Sequence, residues 1–387
     1  MISWRGAILA VCISSLASLH GCVIPISSNA GTDGGTSSSS GTGGEGGIID
    51  SGPIPTGPWI NVTGSLVGIP AACASLTAVS AKPDEDLLIA GVSQVGIYGS
   101  RDGGQTWQLM GASGDAGSPI SNRMSAMVYD PGNSTRFWEV GIYAASPFVT
   151  TDDGQTWTEL GNISHTDMLA VDFSDPQRKT LLAGGHELAQ TLYQSLDSGG
   201  TWKNIGAGLP ANTNCTLPLI FDSKTYLVGC GGYGGGPTGV YRSTDSGVTW
   251  TQMTASGGAV PPLHASDGAI YWVGANNGMT RSLDQGQTWT DVLAYAALTA
   301  TPSGPPQPVE LPGGRIAALG ANYVIVSSDQ GSTWAPASSA LPATPNELLH
   351  GLAYSTQRKA FYVWHNTCGF DGPNLVPADA VMRYDYE

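Results

Sequence analysis

Ser100-Arg-Asp-Gly-Gly-Gln-Thr-Trp107 decides the fold, because its pattern returns five times along the chain. Ser/Thr-x-Asp-x-Gly-x-Thr-Trp recurs as Thr150–Trp157, Ser195–Trp202, Ser243–Trp250, Ser282–Trp289 and Ser327–Trp334. The aspartates are Asp102, Asp152, Asp197, Asp245, Asp284 and Asp329, spaced 50, 45, 48, 39 and 45 residues apart. Periods of about 40–50 residues belong to propeller blades, each a four-stranded sheet. Asp and Ser/Thr side chains bond to nearby backbone and hold a tight turn. Gly permits positive φ, and Trp offers a flat face to the next sheet while its N–H needs a partner. The six aspartates are therefore read as structural and not catalytic.

Composition agrees. Glycine is 54 of 387 residues, about twice the usual share of roughly 7%, which suits turns and disfavours helices. Only 12% of residues are charged, and 15 basic against 30 acidic residues give a formal charge of −15. Nucleic-acid binding needs clustered positive charge, so it is excluded.

The segments between the repeats fill a blade. In the third, Met168–Phe173, Thr180–Gly184, Thr191–Gln194 and Trp202–Ile205 read as four successive strands, and Ala126–Tyr129, Phe137–Ile142, Phe148–Thr150 and Trp157–Leu160 repeat the order. After the last repeat, Leu352–Tyr354, Phe361–Trp364 and Val381–Tyr384 supply three strands and no fourth. At the other end Trp59-Ile-Asn-Val62 is an orphan fourth strand, like Trp202-Lys-Asn-Ile205. The expectation is an all-β, seven-bladed β-propeller of four-stranded antiparallel blades, closed by Trp59–Val62 in the last blade, which leaves no unfinished edge.

The motif resembles the Asp-box, or BNR, repeat of sialidases, xyloglucanases, sortilin-type receptors and photosystem II assembly-factor propellers. The resemblance covers Trp59 to Glu387. It implies that each box is the turn between the third and fourth strands, away from the face where ligands bind.

The N-terminus reads as an address. Met1–Arg5 is cationic, and Gly6–Leu19 is an apolar run too short to span a bilayer, as in a secretory signal. Leu19-His20-Gly21-Cys22 resembles a bacterial lipoprotein signal, in which Cys22 is cleaved and acylated. By resemblance to the sorting of Gram-negative lipoproteins, Val23 after it, in place of Asp, points to the outer membrane. The expected domains are a signal peptide at 1–21, a flexible Gly/Ser-rich tether at 22–57 and the propeller at 58–387. A linker of ~30 such residues reaches about 30 Å. The chain would be exported and held at the outer membrane or cell surface by lipid alone, or else secreted.

Four cysteines remain for the folded part, which allows three pairings in an exported chain. The blade map selects Cys215–Cys230, across the first two strands of blade four. It also selects Cys73–Cys368, neighbours only if the ring closes.

Known chemistries fit poorly. Sialidases hold a carboxylate with three arginines and carry an Arg-Ile-Pro motif, but Gly68-Ile69-Pro70 stands at that place here. Arg136, Arg178, Arg315 and Arg358 fall at first-to-second strand turns, and Arg101, Arg242 and Arg281 flank Asp boxes. All seven thus lie opposite the ligand face, leaving Arg123 and Arg383 to approach it. Xyloglucanases carry a catalytic Asp in the first blade, where the matching stretch Val92–Tyr98 has Ser93. A glycosidase needs two flanking carboxylates, and Asp115, Asp167, Glu187, Glu347, Asp371 and Asp379 are the rim candidates. His165, His186, His264, His350 and His365 show no metal-ligand spacing, and neither a metal nor another cofactor is expected.

The expected function is non-catalytic binding of a glycan, peptide or protein partner on the rim face. Arg123, His186, Glu187, Tyr233, Asn276, Asn277, Asn322, Tyr323, His365 and Asp371 are the candidate contacts. The alternatives are a glycosidase with an unrecognised carboxylate pair and a protein-complex assembly factor.

Overall fold

The computed structural model describes residues 48–49, 52–69, 76–93, 95–111, 120, 122–142, 146–231, 236–275, 277–298, 306–342, 348–366 and 380–387. Cys22, Cys73 and Cys368 lie outside them, so neither the acylation site nor the second disulfide is described.

The Asp box builds each turn by one set of bonds. In all six copies the Ser/Thr hydroxyl donates to the Asp Oδ1 at 2.7–2.9 Å. The box Thr donates its N–H to Oδ1 at 2.8–2.9 Å. Its hydroxyl donates to Oδ2 at 2.6–2.7 Å. The Gly N–H closes the loop on the Ser/Thr oxygen. Two successive residues take positive φ, as at Gln285 and Gly286, which explains the invariant glycine of the pattern.

These turns join the third and fourth strands of blades one to six. The first blade runs Leu76–Ala81, Leu88–Val92, Gly96–Ser100 and Gln108–Leu109, all antiparallel. The seventh comprises Leu348–Ser355, Ala360–Asn366 and Val381–Asp385, completed by Ile60–Asn61. Ile60 pairs with Arg383 and Asn61 with Met382. Val62 N–H donates to Val381 O at 2.8 Å, and Val381 N–H donates to the Thr63 hydroxyl at 3.0 Å. Trp59 packs on Tyr384 with ring centroids 5.2 Å apart. The molecule is thus a closed seven-bladed β-propeller. Among the described residues, helix is confined to three-residue turns such as Gly206–Gly208. None is long and apolar enough to cross a membrane.

The box tryptophans weld neighbouring blades. Trp202 donates to Leu160 O of the preceding blade at 2.9 Å, and Trp334 to Val292 O at 3.1 Å. A Cβ on Gly161 would stand 2.7 Å from the Trp202 ring, so glycine there lets the indole close on the backbone. Charged pairs add ties between blades on the Asp-box face. Arg178 of blade three grips the buried Asp130 of blade two at 2.8 Å, and Lys82 of blade one reaches Asp153 of blade two at 2.6 Å.

The Cys215–Cys230 disulfide is present, between directly paired residues of the first two strands of blade four. Within the stretch read as a tether, two residues pair with the propeller. Ile48–Ile49 adds a fifth strand to the outer edge of blade six, parallel to Thr333–Pro336.

Candidate functional site

The first strands of all seven blades surround a central cavity of about 1360 Å³. Its wall is mostly small or apolar, with Met124, Met127, Met168 and Leu217 among the larger side chains. Five of these inner strands share an irregularity at the rim end. Register shifts fall between Leu76 and Ala78, Met124 and Ala126, Thr166 and Leu169, Cys215 and Leu217, and Leu349 and Gly351. A bulge re-aims the extra residue. Thr77, Ser125, Asp167 and Thr216 all line the cavity from such positions. In three of these blades the residue is a hydroxyl, and in blade three it is a carboxylate.

Asp167 is the seat of a charged cluster at the channel mouth. Its backbone carbonyl accepts the Ser125 hydroxyl of blade two at 2.6 Å, which fixes the two blades to each other there. Its Oδ1 stands 2.7 Å from His186 Nδ1. On the other side of the ring, His186 Nε2 lies 3.7 Å from Glu187 Oε1. Arg123, first residue of the inner strand Arg123–Tyr129, joins the same stretch of wall. His186 is shielded, Asp167 partly open and Glu187 half exposed. The hydrogen bond to Asp167 holds the His186 imidazole above its ordinary pKa. Burial opposes that shift, the Asp167 and Glu187 charges add to it, and the Arg123 charge works against it. The backbone is forced as well: His165 and Glu187 both sit at positive φ, 54° and 55°, and His186 N–H donates to His165 O at 2.6 Å. The same left-handed conformation recurs at Asp-box turns such as Gln285, so here it marks tight turns that fix the backbone around His186.

Across the cavity wall Trp364 lies on Gly351. A Cβ on Gly351 would stand 2.0 Å from the indole, so only glycine admits it.

Among the described residues, the cluster's contacts are those of an ion-paired patch. An Asp–His pair orients a base, but the base must then face a nucleophile. Here Nε2 faces Glu187, and the nearby Ser125 hydroxyl bonds to the carbonyls of Val140 and Asp167. The imidazole lies between Asp167, at hydrogen-bond distance, and the half-exposed Glu187, at 3.7 Å. Among the described residues no group of three His, Cys, Asp or Glu could hold a metal ion. What the arrangement offers is a mixed-charge, hydrogen-bonding patch beside an apolar, aromatic-edged channel.

Of the expected contacts, the fold brings together Arg123, His186 and Glu187. Asn277 is exposed on blade five and donates to Ala255 O at 3.2 Å. Asn322 and Tyr323 form a blade-six hairpin outside the cavity wall, their carbonyls accepting from Leu341 and Gly320. His365 is 1% exposed and so is not presented at the rim. Tyr233, Asn276 and Asp371 lie outside the described residues, as do Asp115, Glu347 and Asp379. Arg383 is corrected too: it stands mid-strand, away from the cavity wall, and pairs with Asp385 at 2.9 Å. His264 ends its strand beside the first-to-second turn of blade five, toward the Asp-box face, with its ring against Phe221. Asp167 was only one of six rim carboxylates by sequence. The signal that separates it is its place at a bulge where other blades carry Thr or Ser.

No protein-family model matches the sequence, and no curated protein matches it. Solved structures match the fold. The chain is similar to the GH74 enzyme of Niastella koreensis at 17% identity and a TM-score of 0.56, covering 80% of this chain and 53% of that one. It is similar to YCF48 bound to D1 peptide at 15% identity and a TM-score of 0.54, covering 89% of this chain and 100% of that one. The extracellular domain of BT4673 from B. thetaiotaomicron gives 12% identity and a TM-score of 0.55, over 85% of this chain and 40% of that one. This chain therefore spans about half or less of the GH74 and BT4673 chains. At such identities the likeness shows the fold alone.

Proposed function

We propose that this chain is an Asp-box (BNR) propeller, exported and tethered to the bacterial envelope through Cys22, that binds a glycan, peptide or protein segment at its channel mouth without cleaving it. The observation that carries the reading is the Arg123–Asp167–His186–Glu187 cluster, set by a bulge and tight turns at the opening of the channel. Rigid scaffolds commonly present ligands with a largely apolar pocket and a few convergent polar groups. The imidazole standing between the two carboxylates favours binding over glycoside hydrolysis, which needs carboxyl groups facing each other across the scissile bond. YCF48, of similar fold, is named as bound to a peptide, which supports a peptide as one ligand class to test.

The test is a panel of polysaccharides and peptides screened for binding and for cleavage. The expected result is binding without turnover, weakened at least tenfold by Glu187→Gln or Asp167→Asn. Cleavage abolished by either substitution would replace the binding reading with the hydrolase one.

A further inference from the structure

Blade seven departs from its neighbours at one register position. Just past the rim-end bulge, Ala78 pairs with Gly91, Ala126 with Val140, Leu169 with Ala183 and Leu217 with Gly229. In those four blades the second strand contributes nothing larger than valine. In blade seven the pair is Gly351 with Trp364, so the inner strand gives up its side chain and the second strand supplies an indole. A Cβ on Gly351 would lie 2.0 Å from the indole Cη2 and 2.1 Å from Cζ2. That edge of the ring therefore passes over the innermost strand, and both residues line the channel. Nε1 and Cζ2 share the ring carbon Cε2, so the N–H belongs to the same edge. Trp364 is 6% exposed, and among the described residues its Nε1 has no hydrogen-bond acceptor. Trp107, Trp272 and Trp334 are also buried, yet their N–H groups donate to Val62 O at 3.2 Å, Val260 O at 2.7 Å and Val292 O at 3.1 Å. A buried donor without an acceptor costs free energy, and native folds keep few of them.

We infer that the Trp364 N–H is a binding group of the channel, and that it takes a backbone carbonyl of an extended, largely apolar peptide segment. The inference rests on the binding half of the proposed function and narrows its ligand class. Met124, Met127, Met168 and Leu217 line the same cavity, and thioethers adapt to apolar side chains of varied shape. Hydroxyls of a sugar would lose water against such a wall without regaining partners. A carbonyl oxygen accepts without bringing a donor of its own, which suits a lone N–H in apolar surroundings. A sugar hydroxyl would bring a proton that needs a second acceptor. The Asp167–His186–Glu187 cluster at the mouth then meets the polar end of the segment, and the indole holds its buried backbone.

The experiment compares the parent chain with Trp364→3-benzothienylalanine, which keeps the bicyclic ring and puts sulfur in place of the N–H. The probes are blocked hexapeptides that alternate leucine with one polar residue, and cellohexaose. In the parent chain, labelled with nitrogen-15 at tryptophan, the Trp364 indole resonance is identified by its loss in the variant. The peptides are expected to move that resonance downfield and to bind the variant roughly fivefold more weakly. Without peptide the variant is expected to melt no lower than the parent, because an N–H with no acceptor adds nothing to the fold. Three results would overturn the inference: peptide affinity indifferent to the variant, an indole shift produced by cellohexaose and not by the peptides, or a variant that melts lower, which would mean that the fold already supplies an acceptor. Each of these leaves the binding reading standing. Binding of none of the probes would count against that reading itself, and against this inference with it.

Discussion

The Asp-box face and the channel mouth are two ends of the same seven sheets, and they are built on opposite principles. On the Asp-box face six turns repeat one hydrogen-bond pattern, and cations meet carboxylates across the blade boundaries. At the mouth the symmetry fails. A carboxylate takes the place of a hydroxyl at one bulge, and a histidine is caught between two acids. Beside this region a buried acid, Glu139, has a single partner, Asn122, and one carboxyl oxygen without any. Repetition serves the scaffold, and departure from it marks the place where a sequence has been spent on something other than stability.

The sharpest way to break the comparison is to attack the scaffold end. Asp130 is 4% exposed and gripped by Arg136 and Arg178, with Gly132 N–H donating a further bond. Asp130→Ala would strand Arg178 and is expected to lose about 3–5 kcal/mol, the usual effect of halving a buried pair. The midpoint of denaturant unfolding reads it.

The mouth end should respond in the opposite direction. Burial pushes the Glu139 carboxyl up to about 8, against an ordinary value of 4.5, while Asn122 resists the shift. A raised folded-state value gives stability that is complete below pH ~4.5 and is lost as pH rises toward 8. Glu139→Gln is therefore expected to match the parent near pH 4 and to exceed it by a few kcal/mol near pH 8. Thermal melts across that range would show the two curves diverging; parallel curves would mean the carboxyl is solvated or paired.

A smaller effect belongs to single Asp boxes. Burial is the largest single influence on the Asp102 carboxyl and raises it, but bonds from Thr106, Ser100 and Gln105 together outweigh it and bring the carboxyl down to about 2. Lowered values of this kind give stability that is present above pH ~4 and is lost as pH falls through about 2. Asp102→Ala is expected to cost roughly 1–2 kcal/mol at neutral pH and nothing extra below pH 2, measured by urea unfolding. Asp167→Asn should be smaller still for stability, within about 0.5 kcal/mol because the group is partly open. Its effect belongs to ligand affinity.

The scaffold end was legible in the sequence because its chemistry is local. Ser, Asp, Gly, Thr and Trp at fixed spacing specify a turn wherever they occur, and Trp59-Ile-Asn-Val62 could be matched to other fourth strands. Pairing of Cys215 with Cys230 followed from strand order. The mouth was legible only in part. Arg123, His186 and Glu187 could be assigned to the rim, but the bulge that aims Asp167 at His186 is a register shift, visible only once the strands are paired. His365 lies near the rim in sequence, yet its burial is decided by three-dimensional packing. Ile48–Ile49 is a two-residue parallel pair, too short to show periodicity.

The cluster at the mouth is tested most directly by following the His186 imidazole through a pH titration by nuclear magnetic resonance. Held by Asp167, it is expected to titrate above the ordinary histidine value of about 6.5 and to move down in Asp167→Asn. Titration at or below about 6.5 in the parent chain, or a value that ignores Asp167→Asn, would contradict the site.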